Sequence, residues 1–290
     1  MKTRLAFLGP HGTFTEEAAR SLPIREEIAY QPYPNIIEVL TAVDKDEAEY
    51  GVVPLENSIE GTVNSTLDWL IHEVELPIVA EIALPISQHL VVARREQPLP
   101  LSSIRKILSH PHAVAQCHNF IKQHLPHAEI EYTNSTAMAA QIVSAHPEES
   151  WAAIGTRLST RIYPLMFARQ NIEDYDNNYT RFVLVGKQPP ALPASPAEKT
   201  TILVTLPEDF PGALYQVLAA FAWRKINLSR IESRPTKKAL GSYHFVIDIE
   251  QRMDEVLLPG AFAEIEALGC QVRQLGTYPL YVHNGSKESE

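Results

Sequence analysis

Six consecutive residues, Asn177-Asn178-Tyr179-Thr180-Arg181-Phe182, carry two amides, a phenol, a hydroxyl and a guanidinium. A hydroxyl flanked by amides can donate a hydrogen bond to an oxygen leaving group. A guanidinium fork can pair both oxygens of a carboxylate. The apolar run Phe182-Val183-Leu184-Val185 follows at once and reads as a buried strand, a rigid element on which polar groups can be mounted. The same residues would also form an ordinary turn into a strand, since Asn-Asn is a turn former. What else the chain brings to this place decides between the two.

Three other stretches put small polar groups at strand ends. Leu5-Ala6-Phe7-Leu8 reads as a strand ending in Gly9-Pro10-His11-Gly12, and Thr13 with Glu16 three residues on is a capping-box pattern that opens a helix. Gly51-Val52-Val53-Pro54-Leu55 reads as a strand leading into Glu56-Asn57-Ser58-Ile59-Glu60-Gly61-Thr62, with Val63, Leu67 and Leu70 at helical spacing beyond it. Ser135-Thr136 is another hydroxyl pair at a helix start. Helix starts offer free backbone N–H groups to anions, and ligands of open α/β sheets collect at the carboxyl ends of strands. Each turn alone would pass as a plain strand-to-helix connection; their recurrence points to a site. The histidines of Ser109-His110-Pro111-His112, with His118, His124 and His127, match no standard zinc spacing and read as surface and cap residues. No metal is expected.

These groups need elements to position them. Further strands are expected at residues 28–33, 77–84, 89–93, 106–109, 130–133 and 151–154, and helices at 35–46, 111–124 and 135–145. Such alternation predicts a largely parallel, covered α/β sheet. It divides into two lobes, the first about residues 1–84 and 181–187, the second about 85–180, with crossings near 84–89 and 178–181. Four prolines within residues 188–197 block helix and central strand alike, so 188–198 is a linker. Beyond it, strands at 200–206, 226–233, 242–250 and 271–275 and helices at 210–224 and 254–268 give the βαββαβ order of a ferredoxin-like module over 199–280. Residues 281–290 are expected to be a flexible tail.

Bulk properties narrow the function classes. The chain has 290 residues, 45% of them hydrophobic, and a formal net charge of −10. That supports two or three ordinary cores and provides no basic stripe for sequence-independent nucleic-acid binding. The two cysteines, Cys117 and Cys270, imply neither a disulfide framework nor a zinc site. The N-terminal apolar run is too short for a secretion signal, and no stretch approaches ~20 uninterrupted apolar residues. A cytoplasmic location is expected.

Taken together, the motifs resemble those of one enzyme family. Residues 9–15 (Gly-Pro-His-Gly-Thr-Phe-Thr), 54–61 (Pro-Leu-Glu-Asn-Ser-Ile-Glu-Gly) and 178–182 (Asn-Tyr-Thr-Arg-Phe) look like the three signature segments of the prephenate dehydratases. Ser109-His110-Pro111, Ala115-Gln116-Cys117 and Ser135-Thr136-Ala137 are similar to intermediate motifs of that family. Pro211-Gly212-Ala213-Leu214 and the run from Asn227 to Pro235 look like its C-terminal ACT regulatory domain. Ser229-Arg230 stands where the family often has Thr-Lys, and residues 155–169 follow the pattern loosely. The resemblance implies a two-lobed catalytic region of the type II periplasmic-binding-protein kind with its active site in the cleft, and a monofunctional enzyme without a chorismate mutase extension. It implies prephenate as substrate and no cofactor. It further implies L-phenylalanine as effector, bound between two ACT domains near Gly212, Ala213, Leu214, Asn227, Leu228 and Ser229, beside the motif Glu232-Ser233-Arg234-Pro235. Self-association to a homodimer or homotetramer follows from that.

The implied reaction removes water and carbon dioxide from prephenate to give phenylpyruvate. Aromatisation drives it, so the enzyme must orient the diacid and help hydroxide leave. Thr180 is the expected hydrogen-bond donor to the leaving hydroxyl, with Glu56 the alternative acid, although capping the next helix would serve Glu56 equally well. Arg181 is expected to hold a substrate carboxylate, or to form an ion pair with an acid at the sheet edge. Asn178, Thr13, Asn57, Ser58, Gly61, Thr62, Ser135 and Thr136 would supply the remaining contacts. Other readings are an arogenate dehydratase, a non-catalytic solute-binding protein and an amino-acid sensor.

Overall fold

The computed structural model describes residues 2–97, 99–208, 210–237 and 243–283. The first lobe comprises β1 (Thr3–Leu8), α1 (Phe14–Ser21), β2 (Ile28–Tyr33), α2 (Ile36–Asp44), β3 (Tyr50–Asn57), the short β4 (Gly61–Thr62), α3 (Asn64–His72) and β5 (Ile78–Pro85). The chain then crosses into a second lobe. This contains β6 (His89–Ala93), β7 (Lys106–Ser109), α4 (Pro111–Gln116), α5 (His118–His124), β8 (Glu129–Tyr132), α6 (Thr136–Ala145), β9 (Trp151–Gly155), α7 (Ser159–Ile162) and β10 (Leu165–Arg169). It returns to the first lobe through β11 (Tyr179–Val185). A C-terminal module follows with β12 (Glu198–Thr205), α8 (Ala213–Ala222), β13 (Leu228–Pro235), β14 (Tyr243–Ile249), α9 (Leu257–Ala267) and β15 (Gln271–Val282).

The helices start where the sequence places capping groups. Thr13, Asn35 and Ser135 each accept a backbone N–H from the third residue on, at 3.3, 2.9 and 3.0 Å. The expected single helix over 111–124 breaks at Cys117, which ends α4 and precedes α5. The break turns Ile121 and Leu125 onto the same core as Ala113, Val114 and the fully buried Cys117. In the first lobe the strand order is β2-β1-β3-β11-β5, with β11 antiparallel to both of its neighbours. The second lobe has the order β10-β6-β9-β7-β8. Asn177 is in a turn, as Asn-Asn suggests, but the strand begins earlier than Phe182: Tyr179, Thr180 and Arg181 already belong to β11.

The C-terminal module is not a separate bead on a linker. Its sheet, β13-β14-β12-β15, joins the first lobe through parallel pairing of β15 with β5, Leu280 opposite Glu81 and Val282 opposite Ala83. The last strand, expected to stop at 275, thus runs to Val282, and Tyr281 and Val282 are strand rather than tail. Residues 284–290 and Ser242, which the sequence reading assigned to the tail and to a strand, lie outside the described residues. Helices α8 and α9 cover one face of the module's sheet, packing Val217, Phe221, Leu258 and Ile265 on Ile202, Val204, Ile247 and Ile249. The other face shares a core with the first lobe, where Leu203, Val246, Leu275 and Tyr278 meet Leu67, Leu70, Ile71 and Val74 at and beyond α3. Truncating one such buried leucine costs about 2–5 kcal/mol, so this shared core couples the stability of the two units.

Gly276 marks the junction. A Cβ there would fall well inside van der Waals contact of the Ile78 carbonyl oxygen. Gly276→Ala should therefore destabilise the protein by about 1–3 kcal/mol and loosen the β15–β5 seam. Urea denaturation and limited proteolysis around residues 186–198 test this; an unchanged midpoint with unchanged proteolysis would refute it.

Candidate active site

Between the two lobes lies a cavity of about 400 Å³ that is open to solvent. Its first-lobe wall is the end of β1 (Leu8, Gly9), the start of α1 (Thr13, Phe14, Thr15), Pro54, Glu60, Thr180 and Phe182. Its second-lobe wall is His110, His112, Ala113 and Gln116 around α4, and Asn134, Ser135 and Thr136 at the start of α6; Ile86 and Gln88 line it from the crossing. Much of the wall is thus strand ends and helix starts. The lobes also touch each other directly. Glu60 reaches His112 at 2.8 Å and Gln116 at 3.3 Å, while Tyr163 and Thr156 donate to the backbone carbonyls of His11 and Gly12 at 3.0 and 2.8 Å.

Thr180 is the hydroxyl on this wall. The Asn57 amide nitrogen donates to Thr180 Oγ1 at 2.8 Å and to Asn178 Oδ1 at 2.8 Å. The orientation of Asn57 is set by Oδ1, which accepts the backbone N–H groups of Ile59 and Glu60 at 2.9 and 3.0 Å. Since Oγ1 of Thr180 already accepts, its own O–H is left to donate. Asn178 in turn donates to Gln116 Oε1 at 3.2 Å. Ser58 supports the same corner, donating to the Asn177 carbonyl and accepting from the Tyr179 N–H at 3.0 and 2.9 Å. Asn57, Asn178 and Ser58 therefore hold Thr180 and its strand.

Arg181 and Glu56 lie elsewhere. Successive strand side chains point to opposite faces, so with Thr180 and Phe182 on the cavity, Arg181 faces away. Its guanidinium meets Glu56 at 2.7 Å, Glu81 at 2.7 Å and Asp248 of the C-terminal module at 2.8 Å. Glu81 is 1% exposed and Asp248 fully buried. Burial opposes the charge on Arg181, but hydrogen bonds and attraction from Glu81 and Asp248 outweigh it and raise its pKa. Lys199 adds a second cation at 3.0 Å from Glu81. Burial first, then Asp248 and Glu81, push the Tyr278 phenol well above its ordinary value, so it remains protonated beside them. The fork expected to hold substrate is thus filled by three carboxylates, and Glu56, expected as an acid in the cleft, is one of them. Thr62 also leaves the site, bonding Arg230 and Glu232 at 2.9 and 3.1 Å, with Gly61 beside it on β4.

With Arg181 turned away, neither arginine nor lysine lines the cavity among the described residues. Anion-binding capacity comes from the starts of α1 and α6, where the side-chain caps of Thr13 and Ser135 satisfy only the third N–H and leave the first two of each helix free. His110 accepts from the His112 N–H at 3.3 Å, so its neutral ring carries the proton on Nε2. Burial lowers its pKa, with His112 adding to the effect and Glu60 opposing it. Among the described residues no group of three or more His, Cys, Asp or Glu side chains could hold a metal ion. Thr15, Glu60, Gln88, Gln116 and Asn134 have no role in the sequence analysis, and His110 and His112 appear there only as surface and cap residues; His110 does cap α4. The His110-Pro111-His112 turn at the end of a strand was a usable signal. Gln88, in a crossing without periodicity, offered none.

Residues 5–190 match the family model for prephenate dehydratase and residues 200–258 that of the ACT domain. The chain belongs to the prephenate dehydratase family. Prephenate dehydratase from Bacillus subtilis is 46% identical over 287 residues, spanning 96% of this chain and 99% of that protein. A crystal structure of prephenate dehydratase from Arthrobacter aurescens in complex with L-Phe is similar at a TM-score of 0.84 and 40% identity, over 96% of this chain and 90% of the other. A structure described as a quorum quenching acylase, GqqA, is similar at 0.81 and 27% identity, over 96% and 98%. The C-terminal module is an ACT domain, and the two-lobed α/β region with its ferredoxin-like partner is the family's architecture.

Two outcomes follow from these contacts. Arg181→Met leaves Glu81 and Asp248 buried without their shared partner, and should cost about 3–5 kcal/mol; urea denaturation reads this, and a loss below 1 kcal/mol would refute the cluster's role. His89 is the second. It is 2% exposed, and burial, then Arg157, lowers its pKa from 6.5 to about 4. The unfolded chain then binds the extra proton, so stability is complete above about pH 6.5 and falls as pH drops toward 4, by up to about 3 kcal/mol. His89→Asn should flatten that part of the wild-type stability–pH curve; an unchanged slope would refute it.

Proposed function

We propose that this chain catalyses the decarboxylating dehydration of prephenate to phenylpyruvate, as a carbon–oxygen lyase, with the chemistry centred on Thr180. The observation that carries this reading is the Asn57–Thr180 hydrogen bond, which leaves a hydroxyl proton free on the wall of the interlobe cavity. As the ring carboxylate leaves as carbon dioxide, its bonding electrons pass into the ring and the C–O bond to the hydroxyl breaks. Thr180 donates a hydrogen bond to that departing oxygen, which leaves as hydroxide and takes up its proton from solvent water. Donation from Asn57 makes the Thr180 hydroxyl a stronger donor without requiring it to ionise. The substrate's carboxylates meet the free N–H groups of α1 and α6. Backbone dipoles bind a carboxylate less tightly than a guanidinium fork does, which suits a group that must lose its charge during the reaction.

We further infer regulation by L-phenylalanine through the ACT domain and association of two or more chains. Gly212 opens α8 in the left-handed region at φ 94°, and Gly212, Asn227 and Ser229 are exposed, while Ala213 is buried and Leu214 and Leu228 are half-buried. An effector carboxylate at the start of α8 and its ring against Leu214 and Leu228 would be completed by a second ACT domain. Tyr215 and Trp223 are exposed on the same helix and its end, at 71% and 77%, and would be covered by such an interface. Glu232 and Arg234 face the catalytic lobe instead, where Arg234 pairs with Asp68 at 2.7 Å. A cytoplasmic setting suits the two free, buried cysteines, and no described helix is long and apolar enough to cross a membrane.

Thr180→Ala should lower kcat about 10²-fold or more with little change in KM. Turnover of prephenate and of arogenate, each with and without L-phenylalanine, should show prephenate preferred and inhibited. Near-normal turnover by Thr180→Ala would remove Thr180 from the mechanism, and absence of wild-type turnover would overturn the activity itself.

A further inference from the structure

Gln88 is a buried amide with one half of its hydrogen-bonding capacity unused. It is 3% exposed and lines the cavity. The Glu173 carboxylate fixes its backbone N–H at 2.9 Å, and its backbone carbonyl accepts from the Ile172 N–H at 2.9 Å. Its side-chain nitrogen donates to Gln116 Oε1 at 3.1 Å. Its side-chain oxygen has no partner within the protein. Buried polar atoms are satisfied in the great majority of cases, and exceptions cluster at functional sites.

The amide cannot relieve this by flipping. Gln116 Oε1 accepts from both Gln88 and Asn178, and Gln116 Nε2 donates to Glu60. Gln116 is thus oriented by two partners independent of Gln88, namely Asn178 and Glu60, and only the nitrogen of Gln88 can face its oxygen. Gln88, Gln116, Asn178 and Asn57 form a relay of four amides that ends on Thr180 Oγ1. One end of the relay presents a hydroxyl donor to the cavity, and at the other end Gln88 lines the same cavity with a buried, unpaired acceptor.

We propose that Gln88 is a substrate-positioning residue whose side-chain oxygen accepts the proton of the substrate's ring hydroxyl. This rests on the prephenate reading above. At neutral pH the ring hydroxyl is the one hydrogen-bond donor on prephenate, whose other polar groups are two carboxylates and a ketone. A buried acceptor can be matched only by that group. The hydroxyl is then held by two contacts: its proton toward Gln88, its oxygen lone pair toward Thr180. The two together set the orientation of the breaking C–O bond. The product phenylpyruvate has lost this hydroxyl, so it leaves the Gln88 acceptor unpaired, which favours its release.

The test compares a ligand that has the hydroxyl with one that lacks it. Gln88→Met keeps the length and apolar volume and removes the acceptor. It should lower kcat/KM for prephenate about 10- to 100-fold while leaving the inhibition constant for phenylpyruvate within about twofold. Combined with Thr180→Ala, its effect should be less than multiplicative, because both contacts act on one hydroxyl. Parallel weakening of phenylpyruvate, or unchanged kcat/KM, would overturn the proposal. If Gln88→Met does not fold, Gln88→Asn, which withdraws the acceptor by one methylene, must show the same split between substrate and product. Wild-type turnover in the same assay separates failure of this proposal from failure of the assigned reaction.

Discussion

A single guanidinium shared by three carboxylates ties the catalytic lobe to the ACT domain. Arg181 on β11 meets Glu56 on β3, Glu81 on β5 and Asp248 on β14. Buried charge survives only with close compensation. Here Arg181, Lys199 and Arg230 stand against Glu56, Glu81 and Asp248, with Glu232 a further carboxylate 3.7 Å from Arg230. Thr201 and Tyr278 occupy remaining positions around Asp248 and Glu81 at 2.8 and 3.5 Å. Removing any one member leaves another uncompensated. That requirement fixes the register of β11 between β3 and β5 and the docking of the ACT sheet together.

The same constraint determines what the cavity can be. Strand alternation commits Arg181 to the interdomain face, so Thr180 is committed to the cavity. The cavity is left to apolar side chains such as Leu8, Phe14, Ile86 and Phe182, to polar but uncharged ones, to helix starts and to the Glu60–His112 pair. Such a wall can meet a diacid only through dipoles arranged in advance, since neither arginine nor lysine lines it among the described residues. Preorganised dipoles need not move as charge leaves the ring carboxylate. The amide relay serves the same purpose, because each amide is oriented by neighbours that are not themselves part of the reaction.

Most of the fold was legible because its signals are local. Thr13, Asn35 and Ser135 announce helix starts, the prolines of 188–197 announce a boundary, and short apolar runs announce strands. The site was legible in part. Thr180, Thr13, Ser135 and Thr136 line the cavity, and Asn57 and Asn178 support it. Glu56 and Arg181 carry the right chemistry but face the other way, since which face of β11 is buried against what depends on Asp248, 67 residues further along the chain. The extension of β15 onto β5 is likewise a long-range pairing without local pattern. Gln88 could not be read at all, since its meaning lies in the donor and acceptor partners of Gln116, not in its neighbours in sequence.

The cluster also shapes how the ACT domain can act on the chemistry. Asp248 touches Arg181, and Arg181 is one peptide bond from Thr180. Proximity alone is not coupling: an effector must favour one of two arrangements by a difference in affinity, typically ~1–3 kcal/mol. A buried multivalent ion cluster is suited to supply two arrangements, because intermediate positions leave a carboxylate neither solvated nor paired. A shift of β14 would therefore be either resisted entirely or transmitted whole to β11. The Asn57–Thr180 hydrogen bond lies across the same β3–β11 pair that carries Glu56 and Arg181. Displacement of Arg181 relative to Glu56 would then be felt at Thr180, one residue away on the same strand.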